Sequence, residues 1–138
     1  MTLQQLDRPR VLATATTGGI TWVCDKCHRP IANGQGYVHI ACSAIRSTEA
    51  GQRKWDQEHP GPVYAAADLV TYPAPAPWEI HHHRCDPRPN SDDYWFGIER
   101  IRSAVDVIEW TEHLTGKAWS TDWSDTLRAV CSALRGAA

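Results

Sequence analysis

Cys24 and Cys27 stand two residues apart in Cys24-Asp25-Lys26-Cys27, and His82 and Cys85 keep the same gap in His82-His83-Arg84-Cys85. A turn between two thiolates presents both sulfurs on one side, and its backbone amides point toward them and offset their charge. Zn²⁺ accepts soft ligands of this kind and takes four of them when its role is structural. The first pair therefore calls for a second. His82 and Cys85 supply it, so Cys24, Cys27, His82 and Cys85 are expected to hold one structural Zn²⁺. The stretch from 28 to 81 is long for such a site, but the cost of closing a loop rises only slowly with its length.

A nearer pair, His39 and Cys42, has the same HxxC form and competes for the role. The later pair is preferred for two reasons. Tyr37-Val38-His39-Ile40 reads as a strand, which points His39 and Cys42 to opposite faces unless the strand ends there. Cys85 also precedes Asp86-Pro87, a turn or helix-start sequence that suits a ligand at an element boundary. His81 and His83 flank the ligand, and either replaces His82 if the register shifts. An iron–sulfur cluster would need Cys42 as a fourth thiolate, and the spacing matches no familiar cluster pattern. Cys131 falls on the apolar stripe of a helix and is expected in the core.

The chain has 138 residues, of which 42% are hydrophobic and 22% charged, which suits one soluble domain with a small appendage. Its start lacks a basic segment followed by a long apolar run, so a cytoplasmic, reducing setting is expected. Five cysteines, an odd number, in such a setting favour metal ligation over a disulfide framework. The net charge is −2, from 14 basic and 16 acidic residues, with no basic block to meet a phosphate backbone. Abundant Arg and Ala suit a GC-rich bacterial or phage genome. Seven tryptophans are divided by expectation between core packing and exposed anchors for a partner.

Elements that position the ligands follow from pattern. Residues 1–19 read as a loose N-terminal segment with a turn at Thr16-Thr17-Gly18-Gly19. Ile20-Thr21-Trp22-Val23 is strand-like and leads into Cys24. Asn33-Gly34, with Gly36 close by, signals a hairpin, and Tyr37 to Ile40 return as a strand. Residues 43–77 read as a Pro-rich insertion, irregular and polar over 46–59, with a short strand or helical turn over 63–70. Residues 93–98 alternate as a strand does, with Tyr94, Phe96 and Ile98 on one face. Residues 99–138 carry two helices. Ser103 with Asp106 forms a capping pattern for the first, and Thr121 is expected to cap the second. A zinc-binding β-rich domain over 20–98 with this two-helix segment packed on it gives an α+β class.

The residues Cys24-Asp25-Lys26-Cys27-His28-Arg29-Pro30-Ile31, then Gly34 and Gly36, then Trp78 and His82-x-x-Cys85-Asp86, resemble treble-clef and LIM-type zinc domains. In those families a CxxC knuckle opens a β-hairpin and a later pair closes the site. The resemblance covers roughly residues 20–90 and departs at the long insertion. It implies a small zinc-stabilised antiparallel sheet. A full LIM domain carries two zinc sites, and the remaining cysteines here cannot make a second. The stretch from Trp110 to Trp123 resembles the tail of small bacterial or phage proteins.

A three-sulfur, one-nitrogen set is closed, whereas a catalytic zinc keeps a position open. The deaminase arrangement needs His-x-Glu ahead of Pro-Cys-x-x-Cys, which is absent. No nucleophile elbow, P-loop or dinucleotide fingerprint occurs. The expected function is therefore a non-catalytic zinc module that binds another protein, as a regulator or a phage-type inhibitor does. Trp119, between the two helices, is the candidate anchor. Nucleic-acid binding through Arg84, Arg88, Arg100 and Arg102 is the alternative. A nuclease-like site at His81-His82-His83 is a second, because HNH nucleases are treble clefs, although their distal His/Asn pattern is not evident.

Overall fold

Short β-branched and aromatic runs between turn residues build two antiparallel sheets, and the helices close over one side of the larger. The computed structural model describes residues 9–14 and 19–137. The turn expected at Thr16, Thr17 and Gly18 lies outside the described residues. The smaller sheet pairs β1 (Val11–Ala13) with β2 (Ile20–Trp22), so part of the segment read as loose is a strand. The larger sheet has the order β4-β3-β5, with β3 at Gly36–Ala41, β4 at Glu79–His82 and β5 at Asp93–Gly97. Four α-helices, α1 (Cys42–Glu58), α2 (Ala66–Leu69), α3 (Ala104–Thr115) and α4 (Trp123–Ala137), and two 3-10 turns, His83–Cys85 and Ile98–Ile101, complete the described residues. The class is α+β with two C-terminal helices, as the sequence pattern predicts.

Residues opposite one another in an antiparallel pair share a face. Val38 lies opposite Ile80 on one side and Phe96 on the other, and Ile40 lies opposite Tyr94. These residues make the core face, where Val38, Ile40, Ile80 and Phe96 are all buried. Tyr37 lies opposite His81, and His39 opposite both Glu79 and Trp95, so the other face is polar and aromatic. The core continues from Val38 and Ile80 through Trp22, Ile31, Trp78, Ile98 and Ile101 to Val107, Trp123 and Val130.

Buried tryptophans need partners for their indole N–H groups. Trp22 donates to the Ile101 carbonyl at 2.6 Å, Trp78 to Thr121 Oγ1 at 3.0 Å and Trp123 to Thr111 Oγ1 at 2.9 Å. Thr121, expected to cap α4, lies one residue ahead of the cap position because the helix begins at Trp123, and its Oγ1 accepts from Trp78 instead. Asp122 Oδ1 accepts the Trp78 backbone N–H at 2.8 Å beside it. At α3 the expected cap is present. Ser103 Oγ accepts from Asp106 N at 3.2 Å, while Asp106 Oδ2 accepts from Arg102 N at 3.1 Å.

The polar stretch 46–59 is not irregular: residues 42–58 form α1, and only Ile45 and Trp55 of it are buried. Its apolar side is thin, resting on these two residues, and good helix formers such as Glu49, Ala50, Gln52, Arg53 and Lys54 carry the rest. The 63–70 segment contains the short α2. Cys131 is exposed, because α4 turns Trp123, Thr126 and Val130 inward and leaves Cys131 one step outside that face.

At Gly36 the sheet leaves no room for a side chain. A Cβ there would fall 2.5 Å from the His81 carbonyl oxygen and 2.7 Å from the Ile31 side chain. Gly36→Ala is expected to destabilise the fold by about 1–3 kcal/mol, as overpacking does. Cys131→Ser, on the exposed helix face, should stay within about 0.5 kcal/mol of the parent. Urea unfolding of both variants checks the contrast.

Candidate metal centre

The Cys24–Cys27 turn is held by its own backbone. His28 N donates to the Cys24 carbonyl at 2.9 Å, and Cys24 N donates to the Arg29 carbonyl at 3.0 Å. His28 closes the turn with φ at +61°, a left-handed conformation that β-carbon residues adopt at some cost. The chain then runs through Pro30, bridged to Val23, into the turn at Gly34, whose φ is +78°, and so into β3.

The second pair arrives through β4. Pairing of Gly36 with His82 sets the strand register. A 3-10 turn over His83–Cys85 then brings Cys85 back to the same point, with His83 N donating to the Gln35 carbonyl at 3.1 Å. Asp86 ends this turn, and its Oδ1 accepts Arg88 N at 2.8 Å, the local carboxylate–backbone bond expected at an Asp-Pro turn.

One residue of the knuckle ties the two halves together. Asp25 N donates to the Ile80 carbonyl at 2.8 Å, and Asp25 Oδ2 accepts Ile80 N at 2.9 Å. Arg10 grips the same carboxylate through Nε at 3.1 Å and Nη2 at 3.0 Å, and Nη2 also reaches the Trp78 carbonyl at 2.9 Å. The sequence reading missed Asp25 and Arg10. An acidic residue inside the CxxC was the available signal for the first, and nothing local signals the second.

The result is a compact donor set. One ligand atom from each of Cys24, Cys27, His82 and Cys85 lies within 4.8 Å of the others, and these four can hold a metal ion. Cys24, His82 and Cys85 are buried. Cys27 Sγ lies 3.3 Å from His82 Nδ1, close to the roughly 3.5 Å edge that tetrahedral Zn–S and Zn–N bonds would give. The other ring nitrogen, Nε2, faces the Pro30 carbonyl at 3.1 Å. A ligating imidazole characteristically donates its second N–H in this way, which fixes the tautomer and leaves the first nitrogen free for the metal.

The thiols are electrostatically uneven. Burial alone would raise the Cys24 thiol, but backbone hydrogen bonds from Cys27, His82 and Lys26, and one from the His82 side chain, outweigh it and bring it down to about 6. Burial raises the Cys85 thiol, and its proximity to Cys24 and Cys27 raises it further. Three sulfurs this close repel one another as thiolates, and a cation relieves that repulsion.

The rival pair is split. His39 sits in β3 and faces the polar side of the sheet, fully buried, whereas Cys42 begins α1. His39 Nδ1 contacts Asp93 Oδ2 at 2.8 Å and its Nε2 contacts His81 Nδ1 at 2.7 Å. Neither His39 nor Cys42 belongs to the four-donor set. Beside His39 an open cleft of about 420 Å³ is lined by Tyr37, His83, Asp86, Arg88, Asp93 and Trp95, among others. Trp95 is 62% exposed there. Trp119 is half-buried and packs edge-to-face on Tyr94 at 5.1 Å, with Lys117 Nζ 5.3 Å from its ring. Of the four arginines named above, Arg84 is exposed, Arg88 is paired with Glu79 and Asp93, Arg102 donates to Asn33 Oδ1 and the Ile31 carbonyl, and Arg100 lies over Trp110.

His82→Ala and Cys85→Ser are expected to release bound metal and unfold the chain together, since binding to such a set is coupled to folding. His39→Ala and Cys42→Ser should retain that metal. Metal content after gel filtration, with circular dichroism, ranks the four, and the reverse order would move the site to the nearer pair. Asp25→Ala should cost about 1.5–3 kcal/mol, the range for hydrogen bonds to a charged group, since it strands the Ile80 N–H. Denaturation of the metal-loaded variant reads this directly.

Compared with known proteins, this chain matches no family model, no curated protein and no solved structure.

Proposed function

We propose that this chain is a non-catalytic, treble-clef-like module built on one structural Zn²⁺ and that it acts by binding another protein, in a reducing cytoplasm. The observation that carries the reading is the donor set itself. Three sulfurs and one nitrogen converge from opposite ends of a long insertion, three of the four residues are buried, and such a set fills all four tetrahedral positions. A closed zinc of this kind stabilises a fold and leaves no position for a substrate.

The contact surface fits a protein better than a nucleic acid. Arg88 and Arg102 are engaged within the chain, and Asp86 and Asp93 line the cleft beside Trp95, so the face offers little free positive charge to phosphate. Trp95 presents a large ring to solvent at low entropic cost, as interface anchors do. Trp119, half-covered by Tyr94, contributes its remaining edge.

Purified protein is expected to carry one zinc per chain, and removal with a strong chelator should unfold it. Capture experiments with nuclease-treated lysate should retain a protein partner on the wild type. Trp95→Ala should lose that partner with an unchanged melting temperature. Trp119→Ala should lower the melting temperature if the ring chiefly supports Tyr94, and lose the partner at unchanged stability if it is the anchor. Retention that depends wholly on nucleic acid would overturn the protein-binding reading.

A further inference from the structure

The polar face of the β4-β3-β5 sheet concentrates more chemistry than a solvated face needs. His39 lies opposite Glu79 across β3 and β4, and His81 follows Glu79 by two residues, so all three side chains stand on the face away from the core. His39 Nε2 and His81 Nδ1 are 2.7 Å apart. One donor atom from each of His39, Glu79 and His81 lies within 4.8 Å of the others. His39 is completely buried and His81 is 6% exposed, which is unusual for imidazoles on the outer side of a sheet.

We propose that His39, His81 and Glu79 form a second, open divalent-cation site, with Asp93 as the group that orients His39 toward the ion. This inference does not depend on the protein-binding reading or on the identity of the first metal.

The orienting contact is the independent support. Asp93 Oδ2 lies 2.8 Å from His39 Nδ1, so the carboxylate holds the proton on that nitrogen and turns the Nε2 lone pair toward His81 and Glu79. Asp93 is itself fixed by Ser91 Oγ at 2.6 Å and Arg88 Nη2 at 3.1 Å. A carboxylate behind a histidine whose other nitrogen faces further donors is the recurring support of metal-bound imidazole. Arg88 also pairs with Glu79, so one guanidinium places both carboxylates. Tyr37 meets the His39 ring edge-on at 5.0 Å and limits its rotation.

The donor chemistry selects the ion. Two imidazoles and one carboxylate suit borderline cations of the Zn²⁺, Co²⁺ and Ni²⁺ class, whereas Ca²⁺ and Mg²⁺ prefer oxygen. Ligation asks for two small adjustments. His81 carries its proton on Nε2, leaving Nδ1 free. The two nitrogens also open from 2.7 Å to the roughly 3.3 Å edge that metal–nitrogen bonds of about 2.0–2.1 Å set. Three protein donors leave at least one position for water or for an oxygen or nitrogen donor of a bound molecule. Asp93 and Tyr37, which contact His39, also line the cleft that Trp95 borders.

The test uses tag-free full-length protein brought to one zinc per chain, in a Cys131→Ser background, which removes the exposed thiol as a competitor. Titration with Co²⁺ by calorimetry should show a second equivalent per chain. Its visible spectrum should hold only weak d–d bands, without the thiolate charge-transfer absorption that cobalt at the three-cysteine set would give. Asp93→Asn should weaken this second equivalent by about 10–100-fold, as loss of an outer-shell partner does. Glu79→Gln should weaken it at least tenfold, and His39→Ala should abolish it. Because His39 is buried, Glu79→Gln carries the test if His39→Ala does not fold. No second equivalent in the wild type would overturn the proposal. So would a second equivalent that persists unchanged in Glu79→Gln and Asp93→Asn. Failure of the first site would show separately, as thiolate charge-transfer bands or absent zinc at loading.

Discussion

Two hydrogen bonds between Asp25 and Ile80 hold together the pieces on which the rest of the structure depends. They dock the Cys24–Cys27 turn against β4, and β4 delivers His82 and Cys85 to the same point. Without that docking, the two cysteine-bearing turns lie far apart in the chain, with β3 and α1 between them. With it, three sulfurs and one imidazole nitrogen meet in a space that their mutual charge makes unfavourable unless a cation joins them. Backbone amides lower the Cys24 thiol, while the neighbouring sulfurs raise that of Cys85. The four donors are thus brought together by the protein in an arrangement that can hold an ion, and metal binding to such a set is coupled to folding.

The three-stranded sheet separates two tasks by its pleat. One face packs Val38, Ile40, Ile80 and Phe96 against tryptophans of the core. The other gathers Tyr37, His39, His81, Asp93 and Trp95, tied by hydrogen bonds that run from Ser91 and Arg88 through Asp93 to His39 and His81. Asp93 and His39 are satisfied within this network, whereas Arg88 Nε is buried without a hydrogen-bond partner, so the network is only partly satisfied. His82 stands one residue from His81 and therefore points the other way, into the four-donor set. Adjacent histidines on one strand serve opposite faces because side chains alternate.

The tryptophans explain how the C-terminal helices attach. Neither helix buries much by itself: Val107 is the buried residue of α3, and Trp123, Thr126 and Val130 are those of α4. Trp78 takes hydrogen bonds to Thr121 and Asp122 at the start of α4, and Trp123 returns one to Thr111 on α3. The indole N–H groups of Trp78 and Trp123 thus double as latches between elements, whereas that of Trp110 is buried without a hydrogen-bond partner. Trp55 forms a smaller cluster of its own with His59, Tyr64 and Tyr72, which anchors α1 and the segment after it.

Much of the donor set was legible in the sequence, because metal ligation imposes short fixed spacings on rare residue types. CxxC and HxxC named Cys24, Cys27, His82 and Cys85, but strand alternation is not what parts His39 from Cys42: the strand ends at Ala41 and Cys42 begins α1. The α+β class, the strand read over 93–98, which forms over Asp93–Gly97, and the Ser103 cap were legible for the same reason: their signals are local. Helix α1 was not, since its buried side rests on two residues, Ile45 and Trp55, in an otherwise polar segment. Cys131 was misplaced because helical spacing defines a face but not its edge. What only the tertiary structure decided are the contacts between residues far apart in sequence: Asp25 with Ile80, Arg10 with Asp25, Asp93 with His39, and Thr121 with Trp78. Hydrogen bonds of this kind leave no periodicity, because each depends on where two distant backbones come to rest once the core has packed.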